Sequence, residues 1–265
     1  MASAGLLLPA TLGQHLQLRE LVEYHVDLGE ANVGHKAVTV IHAMLAGRDS
    51  IDAADVLQGR ATQTALGHAV LAPSTLGTFL RSLTFGHVRP LEAVGREALR
   101  RAWAAGEGPG DRDLTRDMDF TICETYGVLK QEAGFGYTKV RGYHPLLASR
   151  ADSGEVLHSR LRGGSATTQR GAAGFVRETF ARVREAGATS QLTMRADSGF
   201  CSGQVLRTRR QAGVRFSVTA RMNPSLQKVI AAIPRRPRAP SRATGTFGVD
   251  ENGQPISEAD VAEVP

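Results

Sequence analysis

The most informative stretch of the chain is residues 115–122, Thr-Arg-Asp-Met-Asp-Phe-Thr-Ile. From Asp117 onwards its polar and apolar side chains alternate, which is the period of a β-strand. One face carries the carboxylates of Asp117 and Asp119. The other face carries three apolar side chains: Met118, Phe120 and Ile122. The segment therefore predicts a half-buried strand with two acids on its polar face.

The segments downstream of this strand predict a mixed sheet of the α/β class. In chain order they are strands at 139–150 and 156–162, a helix at 172–183, a strand at 191–197, a helix at 205–210 and a strand at 214–220. Short turns join the first three strands, which should be antiparallel, whereas helical crossovers should make the later strands parallel. This order of three strands, helix, strand, helix and strand is that of a ribonuclease H-like core.

Upstream, residues 1–105 repeat apolar side chains at helical spacing and predict an all-α domain. Ser74 is the predicted N-cap of a helix that continues to residue 83. With the short helix predicted at 52–57, that helix forms either a DNA-binding helix-turn-helix or part of a plain helical bundle. Residues 106–112, rich in glycine and charge, predict a linker.

The predicted catalytic core then covers residues 113–233 and is followed by a tail at 234–265 without a regular pattern. That tail is first proline- and arginine-rich and then acidic, so we expect it to be disordered or divergent.

The charge balance points to a polyanionic partner. The 265-residue chain has a formal net charge of +6, and its 32 basic residues include only four lysines. Arginine forks bind phosphates in a bidentate manner, although a GC-rich coding sequence produces the same bias without any function. Residues 250–265 hold five acidic and no basic residues, so the positive charge belongs to the rest of the chain.

Composition also excludes several classes of protein. No apolar run approaches the ~20 residues of a membrane span. Two cysteines, Cys123 and Cys201, are too few for a disulfide framework or an all-cysteine zinc cluster. We therefore expect a cytoplasmic protein without a membrane partner.

A second acidic motif, Arg-Ala-Asp-Ser-Gly-Phe at residues 195–200, ends a predicted strand. If that strand lies beside the first one, Asp197 joins Asp119, and such a pair attracts Mg²⁺ or Mn²⁺. Two ions held this way can act on a phosphodiester. The alternative is structural: Asp197 caps the following turn, and Asp117 is a solvated residue at the strand edge.

The Asp-x-Asp-x-Thr pattern of residues 117–121 also fits haloacid-dehalogenase-type phosphatases, in which the first Asp is a nucleophile. That motif follows a strongly apolar strand, whereas residues 111–116 are mostly polar. The downstream Gly-Asp-x-x-x-Asp pattern is missing as well. Both observations argue against a phosphatase.

Several ordered motifs carry a more specific resemblance. They are residues 47–57, 72–81, 119–124, 142–148 and 192–200. Over residues 40–233 the chain resembles insertion-sequence transposases of the DDE type, the 1380 group of actinobacteria. The resemblance implies a ribonuclease H-like catalytic domain that cleaves DNA and transfers strands at insertion-sequence ends. It also implies two Mg²⁺ or Mn²⁺ ions, with Asp119 matching the first acid of the triad and Asp197 the second.

The chain departs from this family in two respects. Phe120 stands where the family more often has a small residue, and the third acid, a helical Glu, has no match after Ile233. We therefore expect a C-terminally truncated copy with impaired strand transfer. The alternative is a catalytically inactive DNA-binding remnant.

The expected partners are terminal inverted repeats and target DNA, with a homodimer for the complete protein. Candidate DNA contacts lie on the second predicted DNA-binding helix and on or beside the early strands: Arg81, Lys130, Lys139, Arg141 and Arg162. An ordinary solvated strand face is the alternative for each of them. Arg195 shares a strand face with Asp197, with which we expect it to pair.

Overall fold

The computed structural model describes residues 4–127, 129–136 and 138–232, so the predicted tail at 234–265 lies outside the described residues. The chain divides into two compact units, Met1–Thr219 and Ala220–Pro265. The first unit contains a helical part followed by a sheet with two helices. The described part of the second unit contains one helix, Pro224–Ala232.

Six α-helices form the N-terminal part, as predicted from the apolar spacing. They are α1 (Leu7–His15), α2 (Leu18–His25), α3 (Val33–Leu45), α4 (Arg60–Leu66), α5 (Pro73–Ser82) and α6 (Val88–Ala102). The helix predicted at 52–57 is a 3₁₀ helix, Asp52–Gln58. Because α4 lies between that helix and α5, the two do not form a simple helix-turn-helix pair.

The N-cap predicted for α5 is wrong. The helix begins at Pro73, Ala72 occupies the N-cap, and no side chain caps the helix. Proline suits the first helical position because an N–H at that position would have no partner within the helix, and because the φ of proline is already helical. Ser74 lies within the first turn, where its carbonyl accepts a hydrogen bond from the Thr78 hydroxyl at 3.1 Å.

The chain leaves α6 through a short π-helical turn, Trp103–Glu107, in which Gly106 has a φ of 111°. Residues with a β-carbon rarely adopt this backbone conformation. The turn places the buried Trp103 indole so that its Nε1–H donates to the Glu155 carboxylate at 3.1 Å. The segment around Glu155 in the sheet part is thereby held against the end of the helical part.

The mixed sheet predicted from the sequence is confirmed. It contains β1 (Leu114–Phe120), β5 (Leu146–Arg150), β6 (Val156–Arg160), β7 (Leu192–Ala196) and β8 (Arg215–Val218), in the spatial order β6-β5-β1-β7-β8. The pairs β1–β5 and β5–β6 are antiparallel, whereas β1–β7 and β7–β8 are parallel. This is the ribonuclease H-like strand order, with β1 at its centre.

The strand predicted at 139–150 is wrong as a single element. His144 and Pro145 interrupt it, since proline has no backbone N–H to donate to a ladder. The part before the break, β4 (Arg141–Tyr143), joins β2 (Cys123–Glu124) and β3 (Gly134–Phe135) in a separate small sheet of order β2-β4-β3. This small sheet therefore lies in the connection between β1 and β5.

Two helices, α7 (Ala172–Glu185) and α8 (Gly203–Gln211), form the crossovers of the main sheet. The main core cluster joins them to the sheet through buried side chains such as Met118, Phe175 and Met194. The side chains that alternate with the buried ones on β1 and β7 are half-buried or exposed: Thr115, Asp117, Asp119, Thr193 and Arg195. The predicted acids therefore lie on the polar face of the sheet.

A buried ion network joins α6 to β6 and α7. Arg160 donates to Glu92 at 2.8 and 2.9 Å and to Glu178 at 2.5 Å, while Arg89 donates to Glu178 at 2.7 Å. Burial alone would raise the pKa of Glu92, but the hydrogen bonds and charges of Arg160 and His158 lower that pKa to about 2. Glu92 is therefore ionised and paired at neutral pH.

The substitution Glu92→Gln should lower the free energy of unfolding by about 3 kcal/mol, because it leaves the half-buried Arg160 with a single carboxylate partner. Chemical denaturation measures this loss. Arg89→Gln is the matched control, since the Arg89 side chain is 63% exposed and its loss should cost less than about 1 kcal/mol. Equal losses in the two variants would contradict the assignment.

Two histidines link α3 to the segment after α4. His42 Nδ1 lies 2.9 Å from His68 Nε2, and the two rings are stacked. Burial lowers the pKa of His42 from 6.5 to about 4, and the charge of His68 acts in the same direction with a smaller effect. The folded protein therefore favours a neutral His42 at pH values where the unfolded chain would be protonated.

Because the unfolded state binds more protons in this range, stability should fall as the pH drops from 6.5 towards 4. The melting temperature of the wild type should decrease more over this interval than that of His42→Gln, which lacks the titrating ring. Thermal melts at several pH values provide the measurement. Parallel curves for the two proteins would show that His42 does not carry this pH dependence.

Candidate active site

The two sequence-predicted acids lie at the carboxyl ends of neighbouring parallel strands. In the β1–β7 ladder Asp117 is opposite Arg195 and Met118 is opposite Ala196. The next position on each strand is Asp119 and Asp197, respectively. Since adjacent strands are about 4.8 Å apart, their backbones are near neighbours, and both residues are exposed.

Local backbone contacts orient each carboxylate through one oxygen. Asp119 Oδ1 accepts the Phe120 amide hydrogen bond at 2.7 Å, and Asp197 Oδ1 accepts that of Gly199 at 3.0 Å. No further hydrogen bond or ion pair holds the Oδ2 atom of either acid within residues 4–232, apart from the undescribed positions 128 and 137. Each acid therefore keeps one oxygen for a ligand.

The turn after β7 fixes the Asp197 carboxylate through a capping contact. Asp197 is the N-cap of a 3₁₀ helix, Ser198–Phe200, as the structural alternative predicts. A β-carbon at Gly199 would lie 2.6 Å from the Thr168 side chain and 3.1 Å from Asp197 Oδ1, so this position requires glycine. The capping contact uses only Oδ1 and therefore fixes the carboxylate without occupying it.

Asp117 differs from the other two acids because both of its oxygens are engaged. Arg195 Nε donates to Oδ1 at 2.5 Å and Arg195 Nη2 donates to Oδ2 at 2.6 Å. The expected pairing of Arg195 with Asp197 is therefore wrong, since the parallel register places Arg195 directly opposite Asp117. Residues 117 and 195 have the same separation as residues 119 and 197, but this equality indicates a pairing only once the strand register is known.

The donor chemistry of Asp119 and Asp197 fits a hard divalent cation, which prefers carboxylate oxygens. The third acid implied by the resemblance has no match in the sequence, and the stretch in which it would fall, after residue 233, lies outside the described residues. In the described part of the chain, one group of three side chains lies within mutual metal-ligand distance: Glu92, His158 and Glu178. Arg160 and Arg89 occupy those carboxylates, so this group serves as the ion network that holds α6.

Three of the predicted DNA contacts lie along one groove of about 750 Å³ between the helical part and the small sheet. These are Arg81, Lys130 and Arg162. Apolar side chains line the same groove: Leu80, Phe85, Leu91, Leu129 and Leu161. Lys139 and Arg141 lie outside this lining, with Lys139 exposed before β4 and Arg141 on β4 itself.

Arg162 is largely committed to internal contacts. Its Nε donates to the His144 carbonyl at 2.9 Å, and its Nη1 donates to the Thr167 and Arg170 carbonyls at 2.9 and 2.7 Å. Burial, together with the charges of Arg160 and Arg170, lowers the pKa of Arg162 to about 10. The side chain therefore ties the chain after β6 to the segment that leads into α7.

A family model described as "Transposase DDE domain group 1" matches residues 1–256. The chain belongs to this family. A search of curated proteins gives no match. Among the described helices, none combines the length and apolar character needed to cross a membrane.

Two solved transposase structures are similar to this family member. One is the piggyBac transposase synaptic complex with hairpin DNA, with 13% sequence identity and a TM-score of 0.37 over 85% of this chain. The other is the Mos1 strand transfer complex, with 12% identity and a TM-score of 0.25 over 72% of this chain. The chain spans 45% of the piggyBac chain and 59% of the Mos1 chain.

We predict that Asp119→Asn and Asp197→Asn each weaken Mn²⁺ binding by the DNA-free protein by about tenfold or more, because each removes a charged ligand. Titration calorimetry gives the affinities. Asp113→Asn is the matched control, since Asp113 is exposed just before the opposite end of β1. Unchanged affinity in the Asp119 and Asp197 variants would show that these acids do not bind the cation.

Proposed function

We propose that this chain contains the catalytic core of a DDE transposase of the insertion-sequence 1380 group, which cleaves and transfers DNA strands at the ends of its element. One observation carries the proposal: two exposed acids occupy equivalent positions at the carboxyl ends of neighbouring parallel strands. Membership of the DDE transposase family and the ribonuclease H-like strand order support it. Open α/β sheets commonly place their ligand sites at this end of the strands.

In this proposal Asp119 and Asp197 are the catalytic acids that hold Mg²⁺ or Mn²⁺, with two ions in an intact site. When bound, such ions activate the attacking oxygen and neutralise the leaving oxygen of a phosphodiester. The contribution of the chain is orientation. The amides of Phe120 and Gly199 fix one oxygen of each acid, which reduces the reorganisation needed when the DNA binds.

DNA binding is assigned to the helical part, residues 1–105, and to basic residues near the small sheet. Arg81, Lys130, Lys139 and Arg141 are proposed to contact phosphates of the terminal repeats or the target. Arg162 is assigned a supporting role, since its guanidinium donates to the carbonyls of His144, Thr167 and Arg170. We further propose that the complete protein acts as a homodimer in the cytoplasm.

DNA binding without catalysis is the second candidate function. It follows from the expectation that residues 234–265 contain no match to the third acid of the family motif. Both functions need the basic residues, and only the first needs Asp119 and Asp197. The two are therefore separable by experiment.

The test incubates the protein with labelled duplexes that carry the ends of its insertion sequence, in Mg²⁺ or Mn²⁺. We expect nicking by the wild type and at least a ~100-fold loss in Asp119→Asn and Asp197→Asn, with DNA binding retained. Binding without nicking in either metal supports the second candidate. Absence of binding at low salt would overturn both candidates.

The phosphate contacts are tested through the salt dependence of DNA affinity. Lys130→Gln and Lys139→Gln should each reduce the slope of log affinity against log salt by about 0.9, which is the contribution of one phosphate contact. Lys36→Gln is the matched control because Lys36 is paired with Glu30 and only 12% exposed. An unchanged slope in Lys130→Gln and Lys139→Gln would remove these residues from the interface.

A further inference from the structure

Four charged side chains share the polar face at the carboxyl ends of β1 and β7. Asp117 and Asp119 lie two residues apart on β1. Arg195 lies opposite Asp117 on β7, and Asp197 directly follows that strand. Residues two apart on a strand point to the same face, about 6.6 Å from one another. Three carboxylates and one guanidinium therefore occupy adjacent positions on this face.

The contacts divide these carboxylates into two kinds. Asp117 accepts two charge-assisted hydrogen bonds from the Arg195 fork, a geometry that fixes both side chains. Asp119 and Asp197 instead use one oxygen each for a neighbouring backbone amide. The Arg195 guanidinium therefore pairs with only one of the three acids on this face, Asp117.

This selection has an electrostatic consequence for a cation on the same face. An unpaired Asp117 would be a third carboxylate two residues from Asp119 and so a competing ligand. An unpaired Arg195, whose side chain is 59% exposed, would be free to turn towards Asp119 and Asp197. Pairing removes both possibilities.

We propose that Asp117 and Arg195 form a positioning pair for the cation site. Arg195 keeps Asp117 out of the ligand set, and Asp117 keeps the guanidinium away from Asp119 and Asp197. The inference rests on the proposed function, since it assigns a role beside the same two acids. Neither residue is assigned a contact with the reacting phosphate.

The first test measures the Mn²⁺ affinity of the DNA-free protein in Asp117→Asn, Arg195→Gln and the double variant. Asp117→Asn should bind Mn²⁺ about tenfold more weakly, because it releases a positive charge beside the site. The double variant loses that charge and should return to within about threefold of the wild type. A double variant as weak as Asp117→Asn, or an unchanged Asp117→Asn, would overturn the proposal.

The second test asks whether Arg195 decides which acids bind the cation. Asp119→Asn should lose Mn²⁺ affinity, and adding Arg195→Gln should recover about tenfold of it, because Asp117 then becomes available as a ligand. A thermal melt of each variant verifies that the fold is retained. No recovery in the folded Asp119→Asn/Arg195→Gln protein would also overturn the proposal.

Different variants test the cation site and the positioning pair. If Asp119→Asn and Asp197→Asn bind Mn²⁺ like the wild type, the proposed cation site itself is wrong. If those variants lose binding while Asp117→Asn does not, the site stands and only the positioning role is wrong.

Discussion

The parallel pairing of β1 with β7 is the constraint on which the candidate site depends. A parallel ladder aligns residues in a fixed register, and a shift by one position would move every side chain to the opposite face. In the register observed, Met118 lies beside Ala196, so the acids that follow them occupy equivalent positions at the strand ends. The same register brings Arg195 opposite Asp117 and so determines which acid is neutralised.

Packing on the opposite face of the sheet supports this register. Met118 and Met194 are buried in the main core cluster with Phe175 of α7, so a slip of either strand would expose apolar surface. The ion network of Glu92, Arg160 and Glu178 also holds α6 against β6 and α7. The sheet face opposite the acids is thus packed against α7.

The sequence predicted most of this fold because its segments have strong periodicity. The alternation in 115–122 and the helical spacing of 172–183 depend on local chemistry and appear in the structure as β1 and α7. The split of 139–150 into β4 and β5 was missed because a polar and apolar alternation does not show that Pro145 lacks the amide hydrogen a strand needs. The N-cap of α5 was misplaced because serine is a common cap, although Pro73 already suits the first helical position.

The candidate site, too, could be predicted from the sequence only where it depends on local motifs. Asp119 and Asp197 could be named from their motifs, since strand ends followed by turns are recognisable in sequence. The partner of Arg195 depends on tertiary register, and the internal contacts of Arg162 depend on carbonyls from a separate loop. Neither follows from neighbouring residues in the chain.

The most direct test of the central claim is anomalous diffraction from crystals of the protein soaked in Mn²⁺. The account predicts an anomalous peak in contact with carboxylate oxygens of both Asp119 and Asp197, with Asp117 still paired with Arg195. A peak at Asp117, a peak at Glu92 and Glu178, or no peak near the ends of β1 and β7 would contradict it.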